Sequence, residues 1–75
     1  MSKADKTLDK MRANPRDWRI EDLESVARHH GLTVRKPGGS HVIFQKPGIA
    51  LEVSVPAHKP IKPVYVRRLI ELIDA

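Results

Sequence analysis

Apolar and polar residues alternate along this chain with two periods, one helical and one extended. Leu8 and Met11 stand three apart within the polar stretch 3–13, which predicts a helix with one thin apolar side, docking only loosely. Asn14-Pro15 stops it, because the residue before a proline avoids helical dihedrals. A stronger helix follows. Ile20, Leu23, Val26, Ala27 and His30 recur at helical spacing, with Glu21, Asp22, Glu24, Ser25 and Arg28 facing water. Its early carboxylates suit the positive end of the helix dipole. Gly31 fits the position just past its end, with Leu32 folding back onto the last turn. Trp18, just before this helix, reads as a plug under the helix entry more than as a base-stacking ring.

From residue 32 the period changes to two. Leu32–Arg35, Ser40–Gln45 and Leu51–Val55 alternate, separated by Pro37-Gly38-Gly39 and Lys46-Pro47-Gly48. Turns this short predict an antiparallel meander, since parallel strands need a long crossover. Alternation sends Val34, Val42, Phe44, Leu51, Val53 and Val55 to one face. Thr33, Arg35, His41, Ile43, Gln45, Glu52 and Ser54 go to the other. After a proline-studded loop, Pro63 suits the first turn of a last helix whose apolar stripe is Val66, Leu69, Ile70 and Ile73. With one apolar sheet face, both main helices must cover the same side. The expected fold is therefore α+β: a three-stranded antiparallel sheet with helices packed on one face, in the order α-β-β-β-α, plus an extra N-terminal helix. Residues 1–18 read as an extension and 19–75 as a single domain.

Size and composition narrow the function. A chain of 75 residues buries only about 60% of its unfolded surface, so chemistry must sit on an open face or in a shallow groove. Cysteine is absent, which removes disulfides and thiolate metal sites. No secretory signal and no membrane-length apolar run is visible, and the expectation is a soluble cytoplasmic protein. The net charge is +5, and it is unevenly placed. Residues 1–24 balance, whereas residues 25–70 carry Arg28, Arg35, Lys36, Lys46, Lys59, Lys62, Arg67 and Arg68 against Glu52 alone. Such a block suits a phosphate backbone or an acidic protein, or simply keeps the surface soluble.

Among the histidines, His41 stands on the open sheet face one turn after Gly38 and Gly39, where a sugar–phosphate backbone can approach closely. RNA brings its own nucleophile, the 2′-hydroxyl. A minimal nuclease needs a base for that hydroxyl and positive charge for the phosphate, and imidazole, with an ordinary pKa of about 6.5, suits the first task. Arg35 on the neighbouring strand could bind phosphate. His58, between Pro56 and Pro60, reads either as a second acid/base or as a loop-holding residue. His29 and His30 diverge on their helix and cannot share one metal, and no spacing here resembles a metal site. The scheme requires no cofactor.

Gly39-Ser40-His41-Val42-Ile43-Phe44 resembles the glycine-serine-histidine strand of the HicA family of mRNA-cleaving toxins. Val55-Pro56-Ala57-His58 is similar to that family's second signature, and the order of elements matches over about residues 19–74. The resemblance implies a double-stranded-RNA-binding-domain-like fold, an endoribonuclease acting as the toxin of a toxin–antitoxin pair, His41 as the catalytic residue, and an antitoxin of the HicB type that masks the site. RNA contacts are then expected from Arg35, Lys36, Gly38, Gly39, Ser40, Lys46, Lys59, Lys62, Arg67 and Arg68, with mRNA as substrate. Where many members open the last helix with Gly-Thr-Leu, this chain has Pro63-Val64-Tyr65-Val66. Two alternatives need no catalysis: an RNA-binding module on the same basic face, and a domain that binds an acidic protein.

Overall fold

A computed structural model describes residues 2–75. The elements are α1 (Lys3–Ala13), α2 (Ile20–His29), β1 (Thr33–Arg35), β2 (His41–Gln45), β3 (Glu52–Pro56) and α3 (Pro63–Asp74). The strands form one antiparallel sheet in the order β1-β2-β3. The α-β-β-β-α order and the additional first helix agree with the sequence pattern.

Phe44 is fully buried on the central strand, flanked across the sheet by Val34 and Val53. Val42 and Val55 form the next row. α2 packs on β1 and α3 on β3, both on this apolar face. α2 contributes Leu23, Val26 and Ala27, and α3 contributes Val66, Leu69, Leu72 and Ile73. The turn after α2 follows the expected geometry: Gly31 has φ +80°, and the Leu32 amide donates back to the Ala27 carbonyl at 3.0 Å. β1 itself begins one residue later than the alternation, because Leu32 is spent on closing the helix.

Four positions depart from the pattern. Leu51 was assigned to the core face but is 50% exposed and lies outside β3. The last ladder pair is Gln45 with Glu52, so Leu51 has no partner strand beneath it. Glu24, assigned to water, is buried at 6% exposure between two cations, Lys36 at 2.8 Å and Arg28 at 3.4 Å. Leu72, outside the expected stripe of α3, is fully buried, while Ile70 is only half-buried. Helix α3 packs against α1 as well as the sheet, which widens its buried arc.

The fourth departure is α1. It does not dock loosely: Met11 is fully buried, Leu8 nearly so, and the helix contacts both α2 and α3. A capping box starts it, with the Asp5 amide donating to Ser2 Oγ and the Ser2 amide donating to the Asp5 carboxylate. At its other end Arg12 forms a two-point ion pair with Asp74 of α3, at 2.6 and 2.7 Å. His30 sits at the core edge as expected, with Nε2 3.5 Å from Asp5 Oδ1. That distance permits charge attraction, yet the atoms are not aligned for a hydrogen bond.

Trp18 is half-buried against the core, its indole N–H donating to the Asn14 carbonyl at 2.7 Å. This agrees with the plug reading. Its carbonyl also accepts from the Ile61 amide at 2.9 Å, forming a single β-bridge that draws the proline loop over the core and buries Ile61.

Candidate active site

His41 opens β2, directly after the Gly38-Gly39-Ser40 turn. Both glycines have positive φ, +118° and +73°, and a Cβ on either would meet nothing within 4 Å. They are needed for backbone conformation, and the space they leave is open to solvent. His41 is exposed and pairs with Pro56 of β3. Proline fits here: the Ala57 amide donates to the Ser40 carbonyl at 2.6 Å, so the next residue pair inward is the one that exchanges no ladder hydrogen bonds. The contact closes the end of the β2–β3 ladder and fixes the start of the loop that carries His58.

The side chains sharing His41's face are Ile43, Gln45, Glu52, Ser54, Thr33 and Arg35, as alternation requires. Most are exposed, and no helix covers them. Glu52 shares this face but lies at the opposite end of the ladder from His41. It accepts from Gln45 Nε2 at 2.8 Å and from Arg35 at 3.2 Å, at the far end of the strand. The guanidinium carried on this face by β1, that of Arg35, is therefore already paired.

Beyond Pro56 lies a shallow pocket of about 130 Å³ lined by Pro56, His58, Pro60, Lys62 and Tyr65. The β3 exit, the proline loop and the first turn of α3 build it. His58 and Lys62 are exposed, and Tyr65 is half-buried against the core. The sequence pattern gives Tyr65 no part in the site. Its place beside the strand end depends on how the loop is drawn in by the Trp18–Ile61 bridge, which no local pattern encodes.

The expected basic surface divides into several parts. Lys36 is held by Glu24. Lys46 donates to the oxygens of Ile73 and Ala75, where its charge meets the negative end of α3. Arg67 lines a depression with Arg12, Ile70 and Glu71, on the α1 side of α3. Arg68 extends over the Tyr65 ring, 5.8 Å from its centre, and lines a groove along β3 with Glu52 and Ser54. Among the described residues, Lys59, Lys62, Arg67 and Arg68 form no ion pair. Lys62 is thus an unpaired cation in the pocket beside His41's strand partner. Among the described residues no three histidine, aspartate or glutamate side chains are placed to hold a metal ion.

The structure is thus an α+β domain, an antiparallel three-stranded sheet with helices on one face in α-β-β-β-α order after an additional first helix. The family model described as the HicA toxin of bacterial toxin–antitoxin systems matches residues 20–75, and the chain belongs to that family. It is therefore a protein of the toxin side of such systems. The match begins with α2 and leaves α1 outside it. No curated protein and no solved structure gives a significant match to the chain. No helix of the described residues is long and apolar enough to cross a membrane.

Proposed function

We propose that this toxin is an endoribonuclease that cleaves mRNA in the cytoplasm without a metal ion, with His41 as its general base. The observation that carries the reading is the position of His41: exposed at the start of β2, beside an open glycine turn, on a sheet face that no helix covers.

The chemistry needs little apparatus. His41 takes the proton of a ribose 2′-hydroxyl, and the oxygen attacks the adjacent phosphorus. The bond from phosphorus to the 5′-oxygen of the next nucleotide breaks, leaving a 2′,3′-cyclic phosphate and, once that oxygen gains a proton, a 5′-hydroxyl. His58, across the end of the ladder, is the group available to supply that proton. Unpaired cations such as Lys62 and Lys59 offset charge on the phosphate. The residues of the glycine turn, Gly38, Gly39 and Ser40, admit the backbone. An antitoxin of the HicB type would act by covering this face.

The test is His41→Ala in purified protein and in cells. Cleavage of RNA and growth arrest should both disappear, with circular dichroism and thermal melting unchanged. A folded variant that still cleaves would remove His41 from the mechanism. RNA binding by a parent protein that never cleaves would favour the non-catalytic RNA-binding module.

A further inference from the structure

The pocket next to His41 offers more than the cleavage step uses. General-base attack requires an imidazole and positive charge, whereas this pocket adds an aromatic ring and two proline faces. We propose that Tyr65, with His58 and Lys62, holds one unstacked nucleobase and its phosphate beside the bond that is cut, so that the substrate is unpaired RNA. The proposal rests on the ribonuclease reading above for the meaning of "beside the bond that is cut", but the binding it describes can be measured without cleavage.

Location comes first. Pro56 is both the strand partner of His41 and a wall of the pocket. A nucleotide seated there has a neighbour over the start of β2. Chemistry comes second. The walls Pro56, Pro60 and Tyr65 are flat and mainly apolar, His58 is a second planar ring, and Lys62 brings a cation that no carboxylate already holds. Flat apolar surface beside a free cation is what a base and its phosphate require together. Three of the other cations expected to bind RNA contrast with this one: Arg35, Lys36 and Lys46 are each engaged within the protein.

Tyr65 is suited to serve as a fixed platform. It is half-buried against the core and sits in the first turn of α3, next to fully buried Val66. Arg68 lies over its ring but does not line the pocket. One part of the ring is thus taken by the guanidinium and another is left to a ligand. At about 130 Å³ the pocket is on the scale of a single base. A duplex keeps its bases stacked and offers shape and phosphates instead, so a pocket of this kind discriminates against it.

The experiment uses the full chain carrying His41→Ala, to prevent cleavage. A fluorescent ten-nucleotide RNA of mixed sequence is titrated as a single strand and as a duplex with its complement. The single strand should bind more tightly. Tyr65→Leu should weaken single-strand binding about tenfold and leave duplex binding unchanged. Tyr65→Phe, which keeps the ring, should bind like the parent. Because Tyr65 is half-buried, Lys62→Ala supplies an independent exposed variant, expected to weaken the same binding. Thermal melting verifies folding of each.

Parent-like binding by both Tyr65→Leu and Lys62→Ala overturns the proposal, as does equal binding of duplex and single strand. Unchanged RNA affinity with weakened binding of an antitoxin also overturns it, by assigning the pocket to a protein. Failure of the ribonuclease reading looks different: the parent fails to cleave, whatever Tyr65 contributes to binding.

Discussion

Lys36 Nζ lies 2.8 Å from the carboxylate of Glu24, joining the residue just after β1 to the middle of α2. The Glu24 side chain is only 8% exposed and Arg28 is its other partner, at 3.4 Å. A nearly buried carboxylate that loses one of two cations is left poorly compensated. Lys36 is itself largely exposed, so solvent screens part of the loss. Lys36→Ala should therefore destabilise the fold by about 1 kcal/mol in urea unfolding, while RNA affinity of the His41→Ala protein changes little. A loss confined to RNA binding would return Lys36 to the phosphate-contact role that its charge first suggested.

Cleavage should survive excess chelator and produce 2′,3′-cyclic phosphate or 3′-phosphate ends. The reasoning is that imidazole activation of the 2′-hydroxyl consumes no metal-bound water. Product ends can be distinguished by phosphatase treatment and mass spectrometry. Activity lost in chelator and restored by magnesium, or 3′-hydroxyl ends, would contradict the proposed chemistry.

The stability of α1 can be probed through two carboxylates, Asp5 in its own capping box and Asp74, which holds it to α3. A hydrogen bond from the Ser2 hydroxyl, then one from its backbone amide, holds Asp5 below the usual carboxylate range. The Arg12 guanidinium does the same for Asp74, and Arg12 is correspondingly raised by Asp74. A carboxyl group with a depressed folded-state pKa stabilises above its unfolded value, about 3.9, and loses that contribution as pH falls through the folded value. Acidification below about pH 4 should therefore release α1 before the sheet unfolds, seen as early shifts of the Met11 methyl resonance. Near neutral pH, a double-mutant cycle on Arg12→Ala and Asp74→Ala should give a coupling of about 1 kcal/mol or less, since both side chains are substantially exposed. Simultaneous loss of α1 and the sheet on acidification would show that α1 has no separate stability.

What the sequence revealed follows from the range of the forces involved. Strand faces and helix stripes are local, and period two placed His41, Ile43 and Ser54 on the open face without reference to any partner. His41 stood out because a glycine turn precedes it and, above all, because Gly39-Ser40-His41 resembles the family's strand, both of them local features. Glu24 could not be read this way, because its burial depends on Lys36 returning from the far side of β1. Leu51 kept the alternation but lost its partner, since the ladder ends at Gln45 and Glu52. Met11 and Leu72 are buried where the two ends of the chain meet: α1 has only one apolar residue per turn, a weak signal, and Leu72 lies beside an α3 stripe that was complete without it. The Tyr65 pocket is of the same kind: the loop from Pro56 to Lys62 has no periodicity, and its path is set by the bridge between Trp18 and Ile61.

The final prediction concerns how positive charge is distributed over RNA. Each phosphate neutralised on a single strand should contribute about 0.7 to the slope of log affinity against log salt. Charge already held within the protein neutralises less. Arg35 is paired with Glu52, whereas Lys62 is unpaired and beside the His41 strand end. In the His41→Ala background, Lys62→Ala should reduce the slope by about 0.7 and weaken binding across RNA sequences alike. Arg35→Ala should reduce it by less, and Glu52→Gln, which frees Arg35, should steepen it. Anisotropy titrations of a single-stranded RNA from low to high salt provide the measurement. If Arg35→Ala flattens the slope as much as Lys62→Ala, the ion pair opens on binding and the middle of the sheet contacts RNA directly. A slope near zero for the parent would instead mean that these cations serve only to keep the surface solvated.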